Sequence, residues 1–82
     1  MKKLIDLIAN IINVPVGELT PQSGPANIPA WDSLAHIGIM SAVEQTYDLQ
    51  LTMPEMLSIK TVADLRNAIE KRGVTLLDEE IQ

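Results

Sequence analysis

Eighty-two residues with no cysteine make one small domain that has neither a disulfide staple nor a thiolate metal site. A chain of this length buries only about 60% of the surface its unfolded form exposes, so a deep substrate pocket is hard to build from it. The net charge is −5, and Asp6, Glu18, Asp32, Glu44, Asp48 and Glu55 stand between Lys3 and Lys60 with no Lys or Arg among them; such a surface repels nucleic acid and anionic membranes and attracts basic protein patches.

With no Phe, one Trp and one Tyr, the core falls to Ile, Leu, Val and Met, a composition suited to amphipathic helices. Leu4, Ile5, Ile8, Ile11 and Ile12 repeat at helical spacing with Leu7 widening the stripe, and Pro15 disfavours helical geometry at Val14, which ends this first helix. Lys2 and Lys3 before an apolar run faintly resemble a signal peptide, but Asp6 and Asn10 interrupt the run and no small-residue cleavage site follows. No stretch is long enough to span a bilayer. The expected location is the cytoplasm.

Four prolines (Pro15, Pro21, Pro25, Pro29) and two glycines (Gly17, Gly24) mark an ordered connector from Val14 to Trp31, from which Val16, Leu19 and Ile28 can dip into the core. The second helix is predicted to start at Asp32, a strong N-cap residue, and to run to Tyr47. Thr52-Met53-Pro54-Glu55 has the form of a capping box with proline in the first turn and opens a short third helix. Thr61-Val62-Ala63-Asp64 repeats that logic for a fourth, with Val62, Leu65 and Ile69 as its buried stripe. Lys71 and Arg72 suit the negative end of its dipole, and Gly73 is a natural C-cap. The tail either frays or packs Leu76, Leu77 and Ile81 onto the rest. The fold class is therefore all-α: a small four-helix bundle, three helices long and the third short, with a long loop between the first two. It forms a single domain over residues 1–82, of which 73–82 are the tail.

The chemistry concentrates in Ala30-Trp31-Asp32-Ser33-Leu34-Ala35-His36, where an acid, a hydroxyl and the only histidine lie within five residues. A serine hydrolase needs a base in reach of the hydroxyl and a third group orienting that base. If Asp32 caps the helix, backbone amides occupy its carboxylate; no G-x-S-x-G elbow is present either. No catalytic residue is assigned, and His36 reads as a partly exposed helix residue without a role. No metal site is assigned, since His36, Glu44 and Asp48 share no helix face and there is no second histidine. Ser33, in contrast, is exposed by position at the positive end of a helix dipole, where a phosphate-linked group is favoured; an unmodified serine is equally consistent with that position.

The second helix carries apolar residues on two sides. Ile39, Val43 and Tyr47 form a core stripe at i, i+4 and i+8. Leu34, Ile37, Ser41 and Glu44 form a second ridge roughly 140° away. Either the third helix covers that ridge or a partner docks on it.

The stretch "WDSLAHIGIMSAVEQTYDLQLTMPEMLSIKTVADLRNAI" resembles the acyl carrier protein family. Asp-Ser-Leu opens a helix that ends in Glu-x-x-Tyr-Asp; a Leu-Thr-Met-Pro-Glu short helix and an Ile-x-Thr-Val-x-Asp-Leu entry to the last helix follow. "VPVGELTP" resembles the family's first connector, and the similarity spans roughly residues 3 to 72. The resemblance implies that Ser33 accepts a 4′-phosphopantetheine arm, installed from coenzyme A by a phosphopantetheinyl transferase. The arm's thiol would hold an acyl or aminoacyl group as a thioester for partner enzymes, a loading ligase and downstream transferases or synthases, while the carrier, a monomer, catalyses nothing. Asp32, Leu34, Ile37 and Glu44 match positions that meet partners. Ile39, Val43, Leu51 and Ile59 match interior positions, where some members shelter the acyl chain. Pro29, Ala30 and Trp31 stand where a glycine is usual in carriers of fatty acid synthesis. Ala35, Gly38 and Gln45 stand where acids are frequent, and Ser41 replaces a larger apolar residue. A carrier dedicated to one polyketide, aminoacyl or surface-polysaccharide pathway fits these departures. The alternative is an unmodified helical adaptor that docks enzymes through Leu34 and Ile37.

Overall fold

The computed structural model describes residues 2–74 and residue 76. Among them four α-helices follow in order: α1 (Lys2–Ile12), α2 (Ser33–Tyr47), α3 (Met53–Ser58) and α4 (Val62–Glu70), with a single 3₁₀ turn (Val16–Glu18) in the connector. The described residues thus form the expected all-helical bundle.

α1 buries Leu4, Ile5, Ile8, Ala9 and Ile12, the stripe its periodicity announces. It ends before Pro15, at Asn13, whose φ of 59° places it in the left-handed region; Asn tolerates that region better than most residues. The Val14 amide then donates to the Ala9 carbonyl, closing the last turn. α2 ends in the same way: Asp48 takes φ 56° and the Leu49 amide donates to Glu44.

The connector is ordered by its own side chains. Ser23 Oγ accepts from the Thr20 amide at 2.9 Å, and Asn27 Oδ1 accepts from the Gly24 amide at 2.9 Å. It is also tied to α4, because the Val62 and Ala63 amides donate to the carbonyls of Ser23 and Pro21. Those two N–H groups belong to the first turn of α4 and have no partner within their own helix, so connector and helix satisfy each other. Leu19 is buried and Ile28 packs against the core. Val16 does not dip inward: it is 47% exposed, because the 3₁₀ turn it opens buries none of its residues.

Both helix starts predicted from capping patterns are present. Thr52 and Glu55 form a reciprocal capping box with Pro54 in the first turn. At α4 the Thr61 hydroxyl accepts from the Asp64 amide; the Asp64 carboxylate accepts from the Lys60 amide, one residue before the N-cap. α4 ends at Glu70, and the chain continues as a turn in which Gly73, at φ 89°, supplies the left-handed residue.

Arg72 does more than complement the dipole. Its Nη1 donates to the Ala68 carbonyl at 3.0 Å, its Nε to the Gln50 carbonyl at 2.8 Å, and its Nη2 pairs with Glu55. This clamp fastens α3, the loop before it and the end of α4 together. The guanidinium, followed by the Thr52 amide, lowers the Glu55 carboxyl from 4.5 to about 2. In the tail Leu76 is fully buried; Leu77 and Ile81 lie outside the described residues. No described helix is long and apolar enough to cross a membrane.

Candidate functional site

The start of α2 decides what the Asp, Ser and His can do. Asp32 has extended backbone and its Oδ1 accepts from the Ala35 amide at 2.9 Å, so its carboxylate is spent on the helix. Ser33 is the first residue of α2 and is exposed. His36 turns the other way. Its Nδ1 lies 2.9 Å from Trp31 Nε1 and its Nε2 lies 2.8 Å from the Met56 carbonyl of α3. Of the three residues that resembled a triad, Asp32 is engaged with the Ala35 amide and His36 with Trp31 and Met56, so neither ring nitrogen is available as a base for Ser33.

His36 is thus neither partly exposed at random nor without a role: it joins α2 to the connector and to α3. Trp31 is only 1% exposed and belongs to the core, and it lines the floor of the groove beside Ser33. A groove of about 740 Å³ opens there, bounded by Trp31, Ser33, His36, Ile37, Ile59 and Lys60. Its walls are mostly apolar, and Asp32 and Lys60 are its two charged residues. Such a groove fits an arm joined to Ser33 by a phosphodiester, since the helix start and Lys60 favour the anion and the walls take the less polar remainder.

The second ridge of α2 is not covered by α3. Leu34 is 80% and Ile37 63% exposed. The short helix adds Met53 and Leu57 to the exposed apolar residues; the six-residue span of α3 offers no periodicity from which to find them. Glu44 stands apart from this cluster, about 10 Å beyond Ile37 and about 15 Å beyond Leu34 along the helix axis. Its Oε2 accepts from the Leu51 amide at 2.9 Å, so it holds the α2–α3 loop. Ile39, Val43, Leu51 and Ile59 are all buried, and of these Ile59 also borders the groove. Of the positions where acids were noted as missing, Ala35 is half-buried and Gln45 exposed. Gly38 faces α1, where a Cβ would lie 3.7 Å from Ile11 Cγ2. Among the described residues no group of three or more His, Asp or Glu could hold a metal ion.

Comparison with known proteins agrees with this geometry. A family model described as "Phosphopantetheine attachment site" matches residues 2–69. An acyl carrier protein of Porphyromonas gingivalis is 33% identical over 70 residues, covering 85% of this chain and 90% of its own. The acyl carrier protein MbtL of Mycolicibacterium paratuberculosis is 34% identical over 77 residues, covering 94% and 86%. An acyl carrier protein of Syntrophobacter fumaroxidans is 29% identical over 69 residues, covering 84% and 85%. An exposed serine at a helix start, a groove beside it and a match over most of the chain converge on one conclusion: the chain belongs to the phosphopantetheine-attachment family, and its prosthetic group is covalently attached 4′-phosphopantetheine.

Proposed function

We propose that Ser33 is the acceptor and that the chain is a carrier of acyl or aminoacyl thioesters. The observation that carries this is the exposed hydroxyl at the first position of α2, beside a groove with apolar walls and Lys60 at its edge. When bound, the arm supplies the thiol that this cysteine-free chain lacks. The chain's own residues do the rest. Asp32 holds the helix start open for modification by capping Ala35. The amides of the first turn and Lys60 favour the phosphodiester, and the exposed Ile37 and Leu57 offer apolar surface to the arm. The buried Ile39, Val43 and Leu51 are the positions that would give way if a cargo chain entered the interior.

The partners are a phosphopantetheinyl transferase, a loading ligase and the transferases or synthases that take the cargo. Asp32, Leu34 and Ile37 meet them, with Met53 and Leu57 extending that face and Glu44 marking its far end. The chain works as a cytoplasmic monomer and catalyses no step itself. Membership of a phosphopantetheine-attachment family disfavours the unmodified adaptor. Incubated with coenzyme A and a transferase, the wild type should gain the mass of one phosphopantetheine, while folded Ser33→Ala gains nothing. Unchanged modification of S33A would exclude Ser33.

A further inference from the structure

Trp31 and His36 are each the only residue of their type in the chain, and they are hydrogen-bonded to each other at the edge of the Ser33 groove. The indole N–H is a donor without acceptor capacity. His36 Nδ1 must therefore accept from it through a lone pair, and the ring proton must sit on Nε2, where it donates to the Met56 carbonyl at 2.8 Å. Two partners thus select one neutral tautomer. An imidazolium would carry N–H at both positions; the Met56 bond would persist, but two N–H groups would face each other across the 2.9 Å between Trp31 and His36.

The consequence reaches the groove because of what each partner belongs to. Trp31 ends the connector two residues before Ser33. Met56 lies on α3, which forms the facing side together with Ile59 and Lys60. We propose that Trp31 and His36 are a proton-sensitive latch: neutral His36 fastens the connector and α3 to α2 and holds the groove in shape, and protonation releases Trp31. His36 acts through its neighbours and is a positioning residue.

The charged groups around the latch are few. Asp32 lies one turn before His36 on α2, and Lys60 borders the groove from the turn after α3. Glu55, the one acid of α3, is paired with Arg72, and residues 25–31 of the connector hold no charge. Among the described residues the hydrogen-bond partners of the ring are Trp31 and Met56.

The relevance of the latch to loading rests on Ser33 being the acceptor; the latch itself does not. The test therefore has two arms. In the first, unmodified wild type is titrated from about pH 8 to about pH 5, the interval in which histidines change charge, while Trp31 emission and the His36 ring nitrogen shifts are followed. The expected result is an Nε2–H tautomer at the alkaline end and an emission change with the same midpoint as the ring. His36→Gln, whose amide can accept from Trp31 and donate to Met56, should show no such transition. An Nδ1–H tautomer, or emission that stays flat while His36 titrates, overturns the proposal. In the second arm, transferase-catalysed modification is measured for both proteins across the same range, so that the transferase's own pH response cancels in the ratio. Wild type should match H36Q at the alkaline end and fall about fivefold below it once His36 is protonated, the weight of one lost hydrogen bond. A constant ratio overturns the coupling of latch to groove. If neither protein is modified at any pH, the Ser33 reading fails, and the emission arm still decides the latch.

Discussion

Gly24 has no Cβ because there is no room for one. A Cβ built there would lie 1.9 Å from the Lys60 carbonyl oxygen, where the connector is pressed against the turn that leads into α4. Gly24→Ala must push these two backbones apart and disturb the Val62–Ser23 and Ala63–Pro21 hydrogen bonds beside them. Overpacking of this kind costs about 1–3 kcal/mol, read as a lower urea midpoint with an unchanged slope. Gly17→Ala is the internal control. Nothing lies within 4 Å of its Cβ position and its φ is not positive, so the variant should be neutral or gain up to about 1 kcal/mol from a less disordered unfolded chain. The sequence distinguishes neither glycine from the other, since what separates them is contact with a residue 36 positions further along. Trp31 and His36 pose the same difficulty in reverse. The proximity of His36 to Ser33 in the chain invites a catalytic reading, and only the direction of its ring, toward Trp31 and Met56, shows that the pair serves the frame of the site.

At the scale of elements, α3 is the piece least able to stand alone, because six residues are far too few for an independent helix. It is held by its capping box, by the His36–Met56 bond and by Arg72. The capping box was legible, since its partners are three residues apart and its chemistry is local; so were the N-caps Asp32 and Thr61 and the stripes of α1 and α4. The clamp was not, because Arg72 is 17 residues from Glu55 and 22 from Gln50, and helical periodicity carries no information at that range. The exits through Asn13 and Asp48 escaped as well, each being a left-handed residue of a type that is also common inside turns and caps. Glu55 makes the clamp measurable. Its carboxyl is lowered from 4.5 to about 2, chiefly by Arg72. The stability it contributes is therefore fully present above the unfolded value and is lost as pH falls from there through the folded one. Arg72→Gln should destabilise the protein at neutral pH and flatten the decline of stability across that acid window. An acid limb as steep in R72Q as in wild type would show that another carboxylate governs it.

For the whole molecule, the net charge of −5 and the face beside Ser33 point to different modes of recognition. Acids elsewhere make the protein attractive to basic surfaces at a distance, yet Leu34, Ile37, Met53 and Leu57 present exposed apolar side chains on the face proposed to meet partners. Asp32 and Lys60 stand beside that patch with opposite signs, so little net charge remains to be screened. Contact energy should then come from burial, and fully covering one leucine is worth about 1.5–3 kcal/mol. Leu34→Ala and Leu57→Ala are expected to weaken binding of the loading enzyme about tenfold each, without altering the folded stability of a chain in which both side chains are already exposed. Raising the ionic strength well above physiological should change the wild-type affinity no more than about fivefold, the weight of a single exposed ion pair, with the effect confined to the association rate. Calorimetry or surface binding across a salt series tests both statements together. A steep salt dependence with full affinity in L57A would move the contact to the acidic end of α2, where Glu44 and Asp48 line a second, more polar depression, and the partner would then be one with a basic patch.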